Sequence, residues 1–249
     1  MNKLIIAAAL SVAFAANVAQ AQEAAAAAVP DNQFAFNVAL NSDYRFRGIS
    51  QSRLTPALSG GIDYTHNPTG LYVGTWASTI KWISDAGGDG DVEIDLYGGK
   101  RGEIVKDVGY DVGVLRYFYP GNDLGVNADT TEVYGQLGYG PAYIKYSHSL
   151  TNTFGFADSE DSNYIDVGAN LDVGGGYTLN LHAGHQKIKG SANPDASYGD
   201  WKVGVTKEFY GVTVSLAAIG TNADDDVYYG PHGEHTGKTG AVLTVSKTF

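Results

Sequence analysis

The chain has 249 residues, a formal net charge of −11 at pH 7, no cysteine, one methionine, 33 glycines and 17 tyrosines. The acidic balance argues against nucleic acid as a partner and against attraction to anionic lipid surfaces. Without cysteine there are no disulfides and no thiolate-based zinc or redox chemistry, and abundant glycine and tyrosine favour strands with tight turns over helices.

The first 21 residues, MNKLIIAAALSVAFAANVAQA, carry Lys3, an apolar run from Leu4 to Ala16 and the small-residue step Ala19-Gln20-Ala21. That order reads as a cleaved signal peptide over 1–21. Residues 22–33 are alanine-rich, contain Pro30 and read as a flexible lead-in. No later run of 18 or more apolar residues marks a transmembrane helix. An exported soluble protein or a membrane β-barrel remains.

From residue 34 onward the apolar period is two. In FAFNVALNSDYRFRG (34–48), Phe34, Phe36, Val38, Leu40, Tyr44 and Phe46 share one parity, and Asn37, Asn41, Asp43, Arg45 and Arg47 the other. This predicts a strand with one apolar and one polar face. Further segments of this kind are predicted at 55–64, 71–80, 91–99, 110–119, 130–139, 142–150, 164–173, 177–185, 201–207, 212–219 and 241–249. The connections alternate in length. Those at 66–70, 140–141, 174–176 and 208–211 are short, KRGEIVKDVG is a medium-length exception, and the intervening ones are long and polar. An even number of strands, with short turns at one end and long loops at the other, is the pattern of outer-membrane barrels.

The polar parity decides which face is inside. It mixes small residues (Ala35, Ala39, Ser59, Gly61, Gly138, Gly168) with isolated charges, as a confined wet lumen requires and a solvated sheet face does not. Phe34, Phe36, Val38 and Leu40 then face lipid, with Tyr44 and Phe46 near the membrane interface. Tyr64, Tyr72, Tyr110, Tyr139, Tyr164 and Tyr177, at segment ends, suit aromatic girdles. The fold expected over 34–249 is an all-β transmembrane antiparallel barrel of about twelve strands, both termini periplasmic. The closing strand AVLTVSKTF ends on Phe249 and resembles the signal read by the bacterial barrel-assembly machinery.

SDYRFRGISQS, PALSGGIDY, GLYVGTWAS, DVEIDLYGG, RYFYPG and TEVYGQLGYGPAYIKYS together resemble the TorF family of proteobacterial outer-membrane proteins, from about residue 34 to 249. The resemblance implies a porin and brings no catalytic residue.

Candidate pore-lining residues are Asp43, Arg45 and Arg47 on the outer half of the first strand, with Asp63, Glu93, Asp95, Glu132, Lys145, Asp166 and Lys202. The arginines would set a charged constriction, or the same charges would pair across the lumen and hold the wall. His232, Glu234 and His235 lie in the longest loop, where no helix fixes a metal-ligand spacing, and they read as solvated loop polarity. GKTG at 237–240 misses the phosphate-loop pattern because the required glycine falls on His232. Ser147 and His148 point to opposite faces of one strand, and His182 has no serine beside it. No catalytic, cofactor-binding or metal site is assigned.

The function expected is passive diffusion of small hydrophilic solutes through a narrow charged lumen in the bacterial outer membrane. A non-conducting structural or adhesive barrel is the main alternative, and an outer-membrane hydrolase or lipid-modifying enzyme a further one. The partners expected are outer-membrane lipid and lipopolysaccharide, the assembly machinery acting through Phe249, and small solutes.

Overall fold

The computed structural model describes residues 30–249. The signal peptide expected at 1–21, and the lead-in up to residue 29, lie outside the described residues. Fourteen strands follow in chain order: β1 (Asn32–Asn41), β2 (Arg45–Phe46), β3 (Ile49–Ser50), β4 (Ala57–His66), β5 (Leu71–Thr79), β6 (Val92–Val105) and β7 (Val108–Phe118) form the first half. The second half is β8 (Thr130–Tyr139), β9 (Ala142–Ser149), β10 (Asn163–Asp172), β11 (Tyr177–Lys187), β12 (Tyr198–Phe209), β13 (Val212–Thr221) and β14 (Gly240–Thr248), and a single helical turn, α1 (Trp82–Asp85), precedes β6.

All strands except β2 and β3 form one closed antiparallel barrel of twelve, each paired with its chain neighbours and β1 with β14. At the seam Val38 pairs with Lys247 on one side and Gly60 on the other. The Phe36 N–H donates to the Phe249 carbonyl at 3.2 Å and the Phe249 N–H returns to the Phe36 carbonyl at 2.8 Å, extending the ladder to the last residue. Closure leaves the barrel no strand edge with unpaired backbone groups, the condition for a β-structure to stand in hydrocarbon.

Alternation then sorts the side chains. Phe34, Leu40, Leu58, Val73, Leu96 and Leu216 project outward, 53–62 % exposed, while Glu93, Asp95, Glu132, Lys145 and Asp166, on the other parity, are buried inside. The connections sort by length as well. Turns at 67–70, 106–107, 140–141, 173–176 and 210–211 close one end, and the longer stretches 42–56, 80–91, 119–129, 150–162, 188–197 and 222–239 close the other. The medium-length exception disappears, because β6 and β7 continue to a two-residue turn in which Asp107 has φ 66°. The first strand starts at Asn32, two residues before the expected Phe34.

The girdle expectation requires correction. Tyr139 and Tyr177 do face outward, 69 % and 43 % exposed, but Tyr72 and Tyr164 point into the barrel, 8 % and 1 % exposed. Position at a strand end does not fix the face; parity does, and these two share theirs with inward Trp76 and Asp166. Room for inward rings comes from glycine. Tyr97 sits opposite Gly74, Tyr72 opposite Gly99, Tyr134 opposite Gly113 and Tyr143 opposite Gly168. A Cβ at any of these glycines would fall 2.5–2.6 Å from the facing tyrosine. The rings therefore lie flat over the glycines and fill the lumen without bending the wall.

Leu216→Arg, at the middle of β13 on the outward face, is expected to lower unfolding stability in phospholipid vesicles by about 2–4 kcal/mol. Urea titration with tryptophan fluorescence measures it; a loss below about 0.5 kcal/mol would contradict the assignment of this face to lipid.

Candidate functional site: a hairpin seated in the lumen

The sequence pattern reads residues 34–48 as one strand, but β1 stops at Asn41 and the chain turns inward. Residues 42–56, the first long connection, form a small hairpin in which Arg45 pairs with Ser50 and Phe46 with Ile49. Its two-residue turn is Arg47-Gly48, with φ 45° and 80°. Positive φ at both central residues is the type I′ geometry that suits the twist of a hairpin. Arginine rarely occupies that region, so its conformation must be held by contacts elsewhere. Tyr44 and Phe46, expected near the membrane interface, are instead 2 % and 7 % exposed inside the barrel. Arg45 and Arg47, expected on the first strand, are in this hairpin.

The hairpin's own carboxylate organises it. Asp43 accepts from the Ser50 hydroxyl (2.5 Å), the Ser52 hydroxyl (3.3 Å) and Arg45 Nε (2.6 Å). Arg45 also donates to the carbonyls of Gly48 (3.1 Å) and Lys238 (2.7 Å), which fastens the hairpin to the last long loop. On the other side the Lys81 and Trp82 N–H groups donate to the Gln51 carbonyl, and Arg53 pairs with Asp85 in α1. The residue before β6 is tied to α1, because the Ser84 hydroxyl donates to Asp91 at 2.8 Å and the Lys81 ammonium pairs with it at 3.2 Å; the same contacts keep the exposed Asp91 carboxyl below its usual range.

Aimed down the lumen, Arg47 meets three strands. Nη1 donates to Gln186 Oε1 of β11 at 2.5 Å and Nη2 to Glu132 Oε2 of β8 at 2.7 Å. Its guanidinium carbon lies 4.3 Å from the Tyr164 ring centroid on β10, 4.7 Å from Phe46 and 5.8 Å from Phe154. Tyr44 donates to Glu93 Oε1 on β6 at 2.7 Å and packs edge-on against Trp76 on β5 at 5.4 Å. Phe46 packs edge-on against Tyr117 (5.3 Å) and Phe154 (5.4 Å). Asp95, two residues along from Glu93 on the same face, is 0 % exposed and neither carboxylate oxygen has a hydrogen-bond partner.

Below the hairpin the remaining charges make separate groups. Lys145 stands directly across from Asp166, its ammonium 4.3 Å from the Tyr134 ring. His182, opposite Lys202, lies between two carboxylates, Nδ1 at 2.8 Å from Asp166 and Nε2 at 2.6 Å from Asp200; Tyr164 also donates to Asp200 at 2.9 Å. Nearer the short turns, Tyr97 donates to Asp63 (2.7 Å) and Tyr72 to Asp111 (2.6 Å). The wall opposite carries Ala39, Gly61, Asn180 and Ser215, which retain intermediate exposure and leave that side of the interior open. Two ion-pair partners escape sequence reasoning, His182 and Asp200, because only the register of β10, β11 and β12 brings them to Asp166.

Residues weighed for chemistry stay apart. Ser147 is buried inside, whereas His148 lies on the other parity with Nε2 3.3 Å from Asp161. His235 sits 3.1 Å from Asp225, and Glu234 accepts the His232 N–H at 3.0 Å. Among the described residues no three His, Asp or Glu side chains converge as metal ligands.

A closed barrel with charged residues inside and apolar residues outside is shared with solved porins, two of which are matched over nearly their whole length. The KdgM porin overlaps with TM-score 0.55 at 4 % identity, covering 86 % of this chain and 98 % of its own. Its complex with disordered oligogalacturonate gives 0.54 at 4 %, covering 87 % and 97 %, and the NanC porin 0.54 at 8 %, covering 87 % and 99 %. The profile described as "Bacterial protein of unknown function (Gcw_chp)" matches residues 24–249, and the chain belongs to this family. No curated protein matches the sequence.

Removing the anchor should free the hairpin without unmaking the barrel. Arg47→Ala is expected to turn residues 42–56 from trypsin-resistant to trypsin-sensitive, with cleavage at Arg45 and Arg53, while the barrel band in unheated gels is unchanged. Equal resistance of variant and wild type would show that Arg47 does not hold the hairpin.

Proposed function

We propose that this protein is an outer-membrane porin that passes small hydrophilic solutes through a narrow charged lumen, and that the inward hairpin governs the opening. The observation that carries this reading is the uneven interior. Along β1, β13 and β14 the inward Ala35, Asn37, Ala39, Ser215, Thr244 and Ser246 are small and neutral and retain intermediate exposure, whereas the hairpin of residues 42–56 buries Tyr44, Phe46 and Arg47 against the other side of the long-loop end. Twelve strands enclose a lumen between the side-chain-filled eight-stranded barrel and the wide sixteen-stranded pore, so one hairpin suffices to fill its mouth. Asp43, Arg45, Arg47, Asp63, Glu93, Asp95, Glu132, Lys145, Asp166 and Lys202 are the proposed lining. The TorF-like segments fit the same reading. So does the likeness to KdgM and NanC, whose own solutes are not transferred to this chain at such low identity.

The outward apolar band supports an outer-membrane location, and that location would supply the partners. Outer-membrane lipid and lipopolysaccharide would surround the band and the long loops, and the assembly machinery would read the last strand. Phe249 suits that role because its backbone closes the seam while its ring stays 67 % exposed. A second reading, a barrel that conducts nothing and serves the envelope structurally, draws on the seated hairpin itself. Among the described residues no nucleophile and base assemble to support the enzymatic reading.

Single-channel recording of the refolded protein in planar bilayers separates these readings. Discrete conductance steps are expected, brief in the wild type and longer in Arg45→Ala plus Arg47→Ala, with ion selectivity moved toward cations because two positive charges leave an acidic interior. A correctly folded barrel that stays silent in both forms would overturn the porin reading.

A further inference from the structure

Arg47 is held in the manner of a bound ligand. Its partners come from separate parts of the barrel: Glu132 from β8, Gln186 from β11, Tyr164 from β10 and Phe154 from the connection 150–162. All of these remain in place if the hairpin withdraws. The geometry suits a planar fork, since two nitrogens donate to two acceptors on different strands while the plane is faced by aromatic rings. An ammonium, a point charge with three rotatable donors, cannot reproduce that set. Nε of Arg47 has no partner, so the hairpin leaves part of the guanidinium's hydrogen-bonding capacity unused. The charge balance points the same way. Glu93, Asp95 and Glu132 are all buried at this level, Tyr44 supplies the hydrogen bond that Glu93 receives from the hairpin, and both oxygens of Asp95 are unpartnered. Withdrawing the hairpin would remove Arg47 from Glu132 and Tyr44 from Glu93, leaving three carboxylates facing the space vacated, a strong attraction for a cation.

We infer that the pocket filled by Arg47 is a binding site for the guanidinium group of a small cationic solute, and that Arg47 is its tethered competitor. Passage of such a solute rests on the porin reading, whereas binding does not. A solute that occupies Glu132, Gln186 and the Tyr164 face takes the place of Arg47, and the hairpin, deprived of its anchor at a turn with positive φ, is released. The site would thus couple recognition to opening, with Glu132, released from Arg47, as the charged acceptor that the solute meets.

The test uses methylguanidinium, methylammonium and urea as probes at equal ionic strength, by calorimetric binding to the refolded full barrel and by bilayer recording. Arg47→Ala is expected to bind methylguanidinium at least tenfold more tightly than the wild type, whose site is occupied, and to bind methylammonium and urea at least tenfold more weakly. Adding Glu132→Gln should cost a further tenfold or more, the scale of one charged hydrogen bond. In the wild type, methylguanidinium alone should raise the opening frequency. If Arg47→Ala does not refold, Arg47→Met keeps the aliphatic stem and serves in its place. Equal affinity of wild type and variant, indifference to Glu132→Gln, or equal binding of methylammonium would each overturn the inference. A variant that binds methylguanidinium selectively but never conducts would support the site and reject the porin reading; one that conducts without binding it would do the reverse.

Discussion

Hydrocarbon offers no hydrogen bonds, and the rest of this structure depends on that constraint. In a membrane-spanning barrel every backbone N–H and C=O must be paired within the protein, a condition this chain meets because β1 pairs with β14 and the ladder closes. Closure fixes what each residue can do. Odd and even positions along a strand are committed to lipid or lumen, and a slip of one residue would exchange them all. The outward face is thereby dominated by apolar side chains, with polar exceptions such as Arg116, His148 and Lys247 near the strand ends, and the buried charges lie in the interior.

Confinement explains the character of that interior. A charge inside a barrel of this size must be paired, protonated or wet, and the inward charges gather in local groups: the Lys145 ammonium over the Tyr134 ring, and His182 between Asp166 and Asp200. Tyrosines find room over glycines on the next strand and use their hydroxyls on Asp63, Asp111 and Asp200. The hairpin completes the long-loop end by bringing Tyr44 to Glu93 and Arg47 to Glu132. At Asp95 neither carboxylate oxygen meets a protein donor. The interior thus combines a rigid charged wall with one inserted element, and the inserted element supplies the guanidinium that the wall is shaped to receive.

The barrel was legible because its signal is repetitive. Twelve segments of period two, loops sorted by length and the mixed small and charged parity each reflect the same closure, so an error in one segment is outvoted by the others. The hairpin was not legible, for a local reason. Alternation in DYRFRG continues through residues 43–48, and the turn that breaks it uses Arg-Gly where Asn-Gly or Asp-Gly would have announced a type I′ hairpin. The one available signal is Gly48-Ile49 followed by the turn-forming SQSRLTP at 50–56, too long a polar stretch to be a mere strand end. The inward tyrosines were misplaced because strand ends were weighed above parity. Partners such as Gln186 for Arg47, 139 residues away, depend on tertiary placement that no spacing records.

The most direct test of the account is whether the seated hairpin, and not the diameter of the barrel, decides conduction. The absence of native cysteine permits a clean lock. A Cβ at Gly48 would sit against the side chain of Thr221 on β13, so Gly48→Cys with Thr221→Cys can tie the tip of the hairpin to the wall by a disulfide. Recorded in planar bilayers, the oxidised protein should be silent, and the same preparation after reduction should show conductance steps. Equal conduction before and after reduction, with the disulfide verified, would contradict the account.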